Sequence, residues 1–137
     1  MKISRALLPL ALCLIASAAF TTHSLSAQSA GVYTAAQAKD GGTLYAAHCS
    51  ECHGAKLEGV SGPALAGGDF IAKWSGQTAD DLRDVIATQM PLTAPGSLKP
   101  PEVLAVLAFI LQRNSYPPGD AALTAAASKA VKIAKQP

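Results

Sequence analysis

The sequence contains few aromatic side chains and little charge. Of its 137 residues, 5% are aromatic and 15% are charged. A domain of this size buries only a modest core, so we expect apolar material from outside the polypeptide to complete it. Histidine is also scarce, with three residues, and no acid–base constellation that would indicate catalysis can be placed from the sequence.

The chain also lacks an apolar run of comfortable membrane-spanning length, which is about 20 residues. The nearest candidate extends from Ala6 to Phe20. It follows Lys2 and Arg5 and leads into a small, polar stretch, a pattern typical of a secretory signal peptide. We predict a signal peptide over residues 1–27, with export to the periplasm and no stable membrane span after cleavage. An uncleaved anchor is the alternative.

A charge excess is absent from the predicted mature domain, residues 28–137. The whole chain has eleven basic and nine acidic residues. Lys2 and Arg5 lie in the predicted leader, which leaves nine basic residues against the nine acidic ones. This balance gives no indication of nucleic-acid binding.

Cys49, Cys52 and His53 form the most specific pattern in the chain, a C-x-x-C-H motif typical of c-type haem attachment. Two cysteines at this spacing lie on one side of a helical turn and can form thioethers with the haem vinyl groups. The histidine that follows then binds the iron as an axial ligand. A haem would also supply the missing apolar material.

Other interpretations of the motif fit less well. A zinc ribbon needs a second Cys or His pair, and a thioredoxin-like site needs a surrounding βαβ pattern; neither is found. The remaining cysteine, Cys13, lies in the predicted leader. A disulfide between Cys49 and Cys52 stays open, although it would leave His53 and Gly54 unexplained.

Met90 is the candidate for the second axial ligand. It is the only methionine besides Met1, and it stands at the predicted exit of a helix, directly before Pro91. A thioether opposite histidine favours ferrous iron and raises the reduction potential. Methionine as core filler is the plainer alternative.

Two further residues are candidates for indirect contacts to a haem. The carbonyl of Pro63, in a glycine-rich loop, can accept the Nδ1–H of His53 and so orient its imidazole. Trp74 can donate its indole N–H to a haem propionate. A simple turn proline and a tryptophan that only packs are the respective alternatives.

A first helix is expected before the motif, with Thr34 as a candidate N-cap. Gly41, Tyr45 and Cys49 follow at intervals of four and share one helical face. Glycine inside a helix costs about 1 kcal/mol relative to alanine. Either a close helix–helix crossing explains Gly41, or the helix begins only at Thr43.

Two more helices follow. Thr78 and Asp81 resemble a capping box at the start of a helix that Pro91 ends. Pro100 opens a last, broadly apolar helix. The Ala- and Lys-containing tail, residues 124–137, is expected to form a marginal helix or to stay mobile.

With these features in place, the sequence resembles the class I cytochrome c family over about Ala38 to Leu123. The matching parts are Gly41 and Tyr45, Cys49-Ser50-Glu51-Cys52-His53-Gly54, Gly62-Pro63-Ala64-Leu65, Trp74, Met90-Pro91 and Ala108-Phe109-Ile110-Leu111. The resemblance implies an all-α cytochrome c fold of three to five helices around one covalently bound haem c. It also implies axial ligation of the iron by His53 and Met90.

Within the family, residues 90–114 resemble monohaem cytochromes that accompany periplasmic quinoprotein dehydrogenases. Lys99 and Pro100 replace a Ser-Pro pair often seen there. The resemblance implies an electron carrier, a monomer or a dehydrogenase subunit, that accepts electrons from such a dehydrogenase and passes them to an oxidase or another cytochrome. The alternative is a redox-enzyme subunit or a small-ligand-binding haem protein in which Met90 is displaceable.

Overall fold

The computed structural model describes residues 31–137, so the predicted signal peptide lies outside the described residues and stays a prediction. The described helices are α1 (Ala35–His48), α2 (Ser50–His53), α3 (Gly67–Trp74), α4 (Ala79–Gln89), α5 (Pro100–Arg113) and α6 (Ala125–Ser128). Residues 31–137 contain no strand, only two isolated β-bridges. The all-α prediction is confirmed. The six helices of the described residues exceed the expected three to five because the tail adds the short α6.

Helix α1 begins at Ala35, well before Thr43. Thr34 is its N-cap, and the side-chain hydroxyl of Thr34 accepts the backbone N–H of Gln37 at 3.2 Å. Gly41 lies against α5, where an added Cβ would stand 1.8 Å from the carbonyl oxygen of Ala105. The close-crossing explanation of Gly41 is therefore correct.

Side-chain caps fix the starts of α4 and α5. The Thr78 hydroxyl accepts the N–H of Asp81 at 3.1 Å, and the Asp81 carboxylate accepts the N–H of Thr78 at 2.7 Å. This reciprocal pair is the predicted capping box. At α5 the Glu102 carboxylate accepts the N–H of Lys99 at 2.7 Å, which supplies a cap where the serine of related sequences is replaced.

Helix α5 forms the centre of the core. Its buried residues are Val103, Ala105, Val106, Leu107, Ala108, Ile110 and Leu111. Phe109 packs against Tyr45 of α1, with ring centroids 5.2 Å apart. At the end of α5, the buried Asn114 side chain donates to the Leu65 carbonyl at 2.9 Å and accepts from the N–H of Gly67 at 3.1 Å. These bonds attach the loop of residues 54–66 to α5.

The C-terminal tail is packed onto the core and is not a free segment. Ile133 is 0% exposed and belongs to the hydrophobic core, as does Leu123, the residue just before the tail. The hydroxyl-bearing side chain of Ser128, in α6, is also fully buried. The four-residue α6 matches the marginal helix that was expected, and the burial of Ser128 and Ile133 attaches the segment to the core. Among residues 31–137, no helix combines the length and hydropathy of a membrane span.

Candidate haem-binding site

A cavity of about 570 Å³ lies between the helices. Its volume falls within the range of about 300–1,000 Å³ usual for cofactor and ligand sites. The cavity is bordered by six residues with predicted roles: Cys49, Cys52, His53, Pro63, Trp74 and Met90. Apolar side chains form most of the remaining wall, among them Leu65, Leu82, Val85, Ile86, Leu98, Val106 and Ile110. The fold thus gathers every predicted site residue around one space.

Cys49 and Cys52 are held by the junction of α1 and α2. The Cys49 N–H completes α1 by donating to the Tyr45 carbonyl at 2.9 Å, and the single turn of α2 follows. Both cysteines are half-buried free thiols. Burial raises the pKa of the Cys49 thiol to about 11, so this thiol is protonated at neutral pH. Within residues 31–137 the two sulfurs form no disulfide.

His53 is 8% exposed and has a defined ring orientation. Its Nδ1 lies 2.7 Å from the Pro63 carbonyl oxygen. Because a carbonyl only accepts, Nδ1 donates its hydrogen in this bond. Nε2 is then the ring nitrogen left to coordinate a metal, as an axial haem ligand requires.

The loop after His53 wraps closely around the ring. A Cβ added to Gly62 would lie 3.0 Å from His53 Cε1 and 3.1 Å from Nδ1. The Cys52 carbonyl accepts the N–H of Gly62 at 2.8 Å, and the His53 carbonyl accepts the N–H of Gly59 at 2.8 Å. A side chain at position 62 would crowd the imidazole beside Pro63 and require it to shift by a few tenths of an ångström.

Tyr45 stabilises the same loop from α1. Its buried hydroxyl donates to the Gly54 carbonyl at 2.6 Å. Burial raises the pKa of Tyr45 to about 12, with smaller effects from the charges of Cys49 and Glu58. Tyr45 is therefore neutral at neutral pH and acts as a hydrogen-bond donor to the turn that follows His53.

Met90 borders the cavity from a different part of the chain. It is the C-cap of α4 and is half-buried. Its carbonyl accepts the N–H of Gly96 at 3.3 Å, which closes the loop after α4. On α4 itself, Leu82, Val85 and Ile86 line the cavity, so one helix supplies both apolar wall and thioether.

Trp74 borders the cavity at the end of α3 and is 7% exposed. Its ring packs against Phe70, with centroids 6.4 Å apart, and the Lys73 ammonium lies 5.9 Å from the Trp74 centroid. These contacts fit both a packing residue and a propionate donor, so the second role stays a prediction.

The structure adds two residues that sequence reasoning did not assign to the site. Gly62 makes room for His53, and Asn114 fastens the loop that carries Pro63 and Leu65. A signal for Gly62 was present, since it precedes the proline whose carbonyl holds the ring. For Asn114, the sequence showed only a residue type that often ends a helix.

The donor set fits a haem better than a metal ion bound by side chains alone. Within the described part of the chain, no three His, Cys, Asp or Glu side chains lie close enough together to hold a metal ion. A structural zinc site takes four such ligands. A haem instead needs two thiols, one imidazole and an apolar pocket, all of which border this cavity.

The all-helical fold and the C-x-x-C-H cavity define a class I c-type cytochrome domain. Comparison with protein-family models agrees: residues 36–110 match the family described as cytochrome c oxidase, cbb3-type, subunit III. Because the match covers more than half of the 137 residues, the chain belongs to this family.

A solved structure resembles the chain as well. A chain of the sulfane dehydrogenase SoxCD from Paracoccus pantotrophus matches with a TM-score of 0.59 and 27% sequence identity. The match covers 70% of this chain and 52% of that one, so the present chain aligns with only about half of its neighbour. A comparison with curated protein sequences gave no significant match. The protein thus has the domain of a haem electron carrier or electron-transfer subunit.

Proposed function

We propose that the protein is a periplasmic electron-transfer protein with one haem c, bound covalently through Cys49 and Cys52 and axially through His53 and Met90. One observation carries the proposal: these four residues, from two separate segments, border a single apolar cavity. When bound, a haem supplies an iron that alternates between ferrous and ferric states and so holds one electron.

The residues of this chain have distinct tasks in the proposed function. The sulfurs of Cys49 and Cys52 fix the position of the group, while the Pro63 carbonyl holds the His53 ring with Nε2 free to coordinate. Met90, at the end of α4, would supply its sulfur as the second ligand of the iron. The apolar walls contributed by α4 and α5 exclude water from the site.

Electron exchange requires a docking surface for partners. Leu92 borders the cavity and is 71% exposed, so it stands at the cavity mouth. Glu51 and Lys73 also border the cavity and have opposite charge, and the predicted mature domain is nearly neutral. We infer that docking uses apolar contact at this mouth. A large loss of transfer rate at high salt would contradict this inference.

The proposed donor is a periplasmic dehydrogenase of the quinoprotein type, and the proposed acceptor is an oxidase or another cytochrome. Support for the donor comes from residues 90–114, which resemble cytochromes that accompany such dehydrogenases. Support for the periplasm comes from the predicted signal peptide, whose pattern starts at Lys2 and Arg5. Periplasmic fractionation of the natural host, with detection by covalent haem stain, tests the location.

A second candidate is a permanent electron-transfer subunit of a dehydrogenase complex. The structural neighbour is a chain from a dehydrogenase, SoxCD, and this observation favours a subunit over a freely diffusing carrier. Gentle purification from the host separates the two candidates. A subunit co-purifies with a dehydrogenase in fixed ratio, whereas a free carrier elutes alone.

The visible spectrum of the reduced protein before and after carbon monoxide tests the central proposal. A closed site, with Met90 bound, gives an unchanged spectrum. Met90→Leu retains the apolar volume but removes the sulfur, so it should bind carbon monoxide and show a lower reduction potential. The control Leu98→Ala shortens another side chain of the same cavity wall but keeps Met90. Its reduced spectrum should stay the same when carbon monoxide is added.

Two outcomes would contradict the proposal. If the unaltered protein binds carbon monoxide readily, the sixth position is open or labile and ligand chemistry becomes the better interpretation. If Met90→Leu keeps the potential of the unaltered protein, Met90 is not the ligand. Loss of covalent haem in a Cys49→Ala, Cys52→Ala double variant tests the attachment separately.

A further inference from the structure

The tail forms a short antiparallel pairing with the turn that precedes α4. The N–H of Ile133 donates to the Gln77 carbonyl at 2.9 Å, and the N–H of Ala79 donates to the Val131 carbonyl at 2.8 Å. Between these bonds, Thr78 and Lys132 form an isolated antiparallel bridge. The tail therefore pairs with the residues at which α4 begins.

This pairing gives a hydrogen-bond partner to a backbone N–H that the start of a helix leaves without one. The first N–H groups of a helix have no partner within the helix, and Ala79 is the first residue of α4. The Val131 carbonyl supplies its partner. Ser128 adds a side-chain contact to the same turn, since its buried hydroxyl lies 2.9 Å from the Asp80 carboxylate and 2.9 Å from the Ala125 carbonyl, and these two acceptors share its one proton.

Tyr116 anchors the other side of the tail. Its hydroxyl donates to the Lys132 carbonyl at 2.8 Å and accepts the N–H of Ala134 at 2.9 Å. Tyr116 is 6% exposed and follows the end of α5. The tail is thus fastened to α5 through Tyr116 and to α4 through Ser128 and Val131.

Helix α4 connects this junction to the cavity. Its 11 residues span about 16 Å, from the tail contact at Ala79 to Met90. The elements that hold His53 are different, because α2 and the Pro63 loop lie elsewhere in the chain. A displacement of the start of α4 is therefore carried along this helix toward Met90, whereas the hydrogen bond that orients His53 lies outside α4.

We propose that Tyr116 and Ser128 are positioning residues for Met90: they hold the tail against α4 and thereby set the thioether at the cavity. This inference rests on the proposed function, because it requires Met90 as an axial ligand. The proposal assigns the tail a role in placing Met90, which the haem-attachment motif alone does not indicate.

The test uses two hydroxyl deletions in the full-length, haem-loaded protein. Tyr116→Phe removes the bonds to Lys132 and Ala134 but keeps the ring in the core, and Ser128→Ala removes the bond to Asp80. At about fivefold for each net hydrogen bond lost, Ser128→Ala should raise the population with Met90 detached about fivefold, and Tyr116→Phe, which loses two bonds, should raise it further. The measurements are carbon monoxide binding by the reduced protein and the reduction potential.

Thr34→Ala is the matched control. The Thr34 hydroxyl accepts one hydrogen bond, from the N–H of Gln37 at 3.2 Å, and caps α1, and this bond involves neither Tyr116, Ser128 nor the tail pairing. This variant should lose comparable global stability in denaturant while its carbon monoxide binding and potential stay unchanged.

The outcomes separate the inference from the proposed function. Increased carbon monoxide binding in Tyr116→Phe and Ser128→Ala, but not in Thr34→Ala, supports the positioning role. Unchanged binding and potential in both tail variants, with Met90→Leu still opening the site, would overturn the positioning role alone. If Met90→Leu also changes nothing, the ligand assignment fails first.

Discussion

Replacing Gly41 with alanine should force α1 and α5 apart. An added Cβ would lie 1.8 Å from the Ala105 carbonyl oxygen and 2.4 Å from its carbonyl carbon. Both atoms are backbone in the middle of α5, so no side-chain rotation can relieve the overlap. The helices must separate or tilt.

The magnitude follows from two opposing effects. Overpacking a well-packed core costs about 1–3 kcal/mol, and the backbone clash at Gly41 places this case at the upper end. Alanine in a helix gains about 1 kcal/mol over glycine. We expect a net loss of about 2 kcal/mol in the free energy of unfolding, which lowers Tm by roughly 10 °C for a domain of this size.

Gly42→Ala is the internal comparison. Its added Cβ would lie 3.2 Å from Cε2 of the Phe109 ring, a side chain that can shift by a few tenths of an ångström. The helix-propensity gain should then offset the crowding and leave stability near that of the unaltered protein. Denaturant unfolding of the haem-loaded variants, followed by circular dichroism, measures both. Equal stability of Gly41→Ala and Gly42→Ala would refute the crossing argument.

Three further changes test other parts of the structure. Asn114→Ala removes the bonds that join α5 to the 54–66 loop and should cost about 1–3 kcal/mol in denaturant unfolding; an unchanged midpoint would contradict this. The guanidinium of Arg83 holds the pKa of Asp80 below its usual value. The interaction of Asp80 with Arg83 therefore stabilises the fold fully above the ordinary carboxyl pKa, and this stabilisation is lost as the pH falls below about 4. In a pH series of unfolding midpoints, Asp80→Asn should lose less stability at low pH than the unaltered protein. Leu92→Ser should slow electron exchange with partners, as measured by stopped flow. Val60→Ser, at a similar exposure of 72%, should leave the rate unchanged. Equal effects of the two changes would show that Leu92 is not part of the docking surface.

Features that depend on neighbours in the sequence could be predicted. The capping pair of Thr78 and Asp81 spans three residues, and the C-x-x-C-H motif spans five. Backbone geometry over one helical turn fixes both, whatever the rest of the chain does. The crossing at Gly41 was also predictable as one of two alternatives, because a helical glycine needs a reason.

Several side-chain contacts between residues far apart in the chain could not be predicted. Ser128 finds its acceptor in Asp80, and Asn114 binds Leu65, in each case nearly fifty residues away. Neither residue type indicates its partner. The tail was undervalued for the same reason: its few apolar residues show no helical period, and only the folded structure shows Ile133 inside the core.

The contact between Gly41 and Ala105 also determines how stiff the cavity is. Cavity walls built from side chains alone can adjust, because exposed rotamers change within nanoseconds. Here α1, which leads into the thiols and His53, touches the backbone of α5, which supplies Val106 and Ile110 to the cavity. Backbone contacts between α1 and α5 set the spacing between these two walls, so the rotation of a side chain cannot change it. Under the proposed function, a pocket fixed in this way would keep its width when a bound haem gains or loses an electron, so little mechanical work would accompany each transfer.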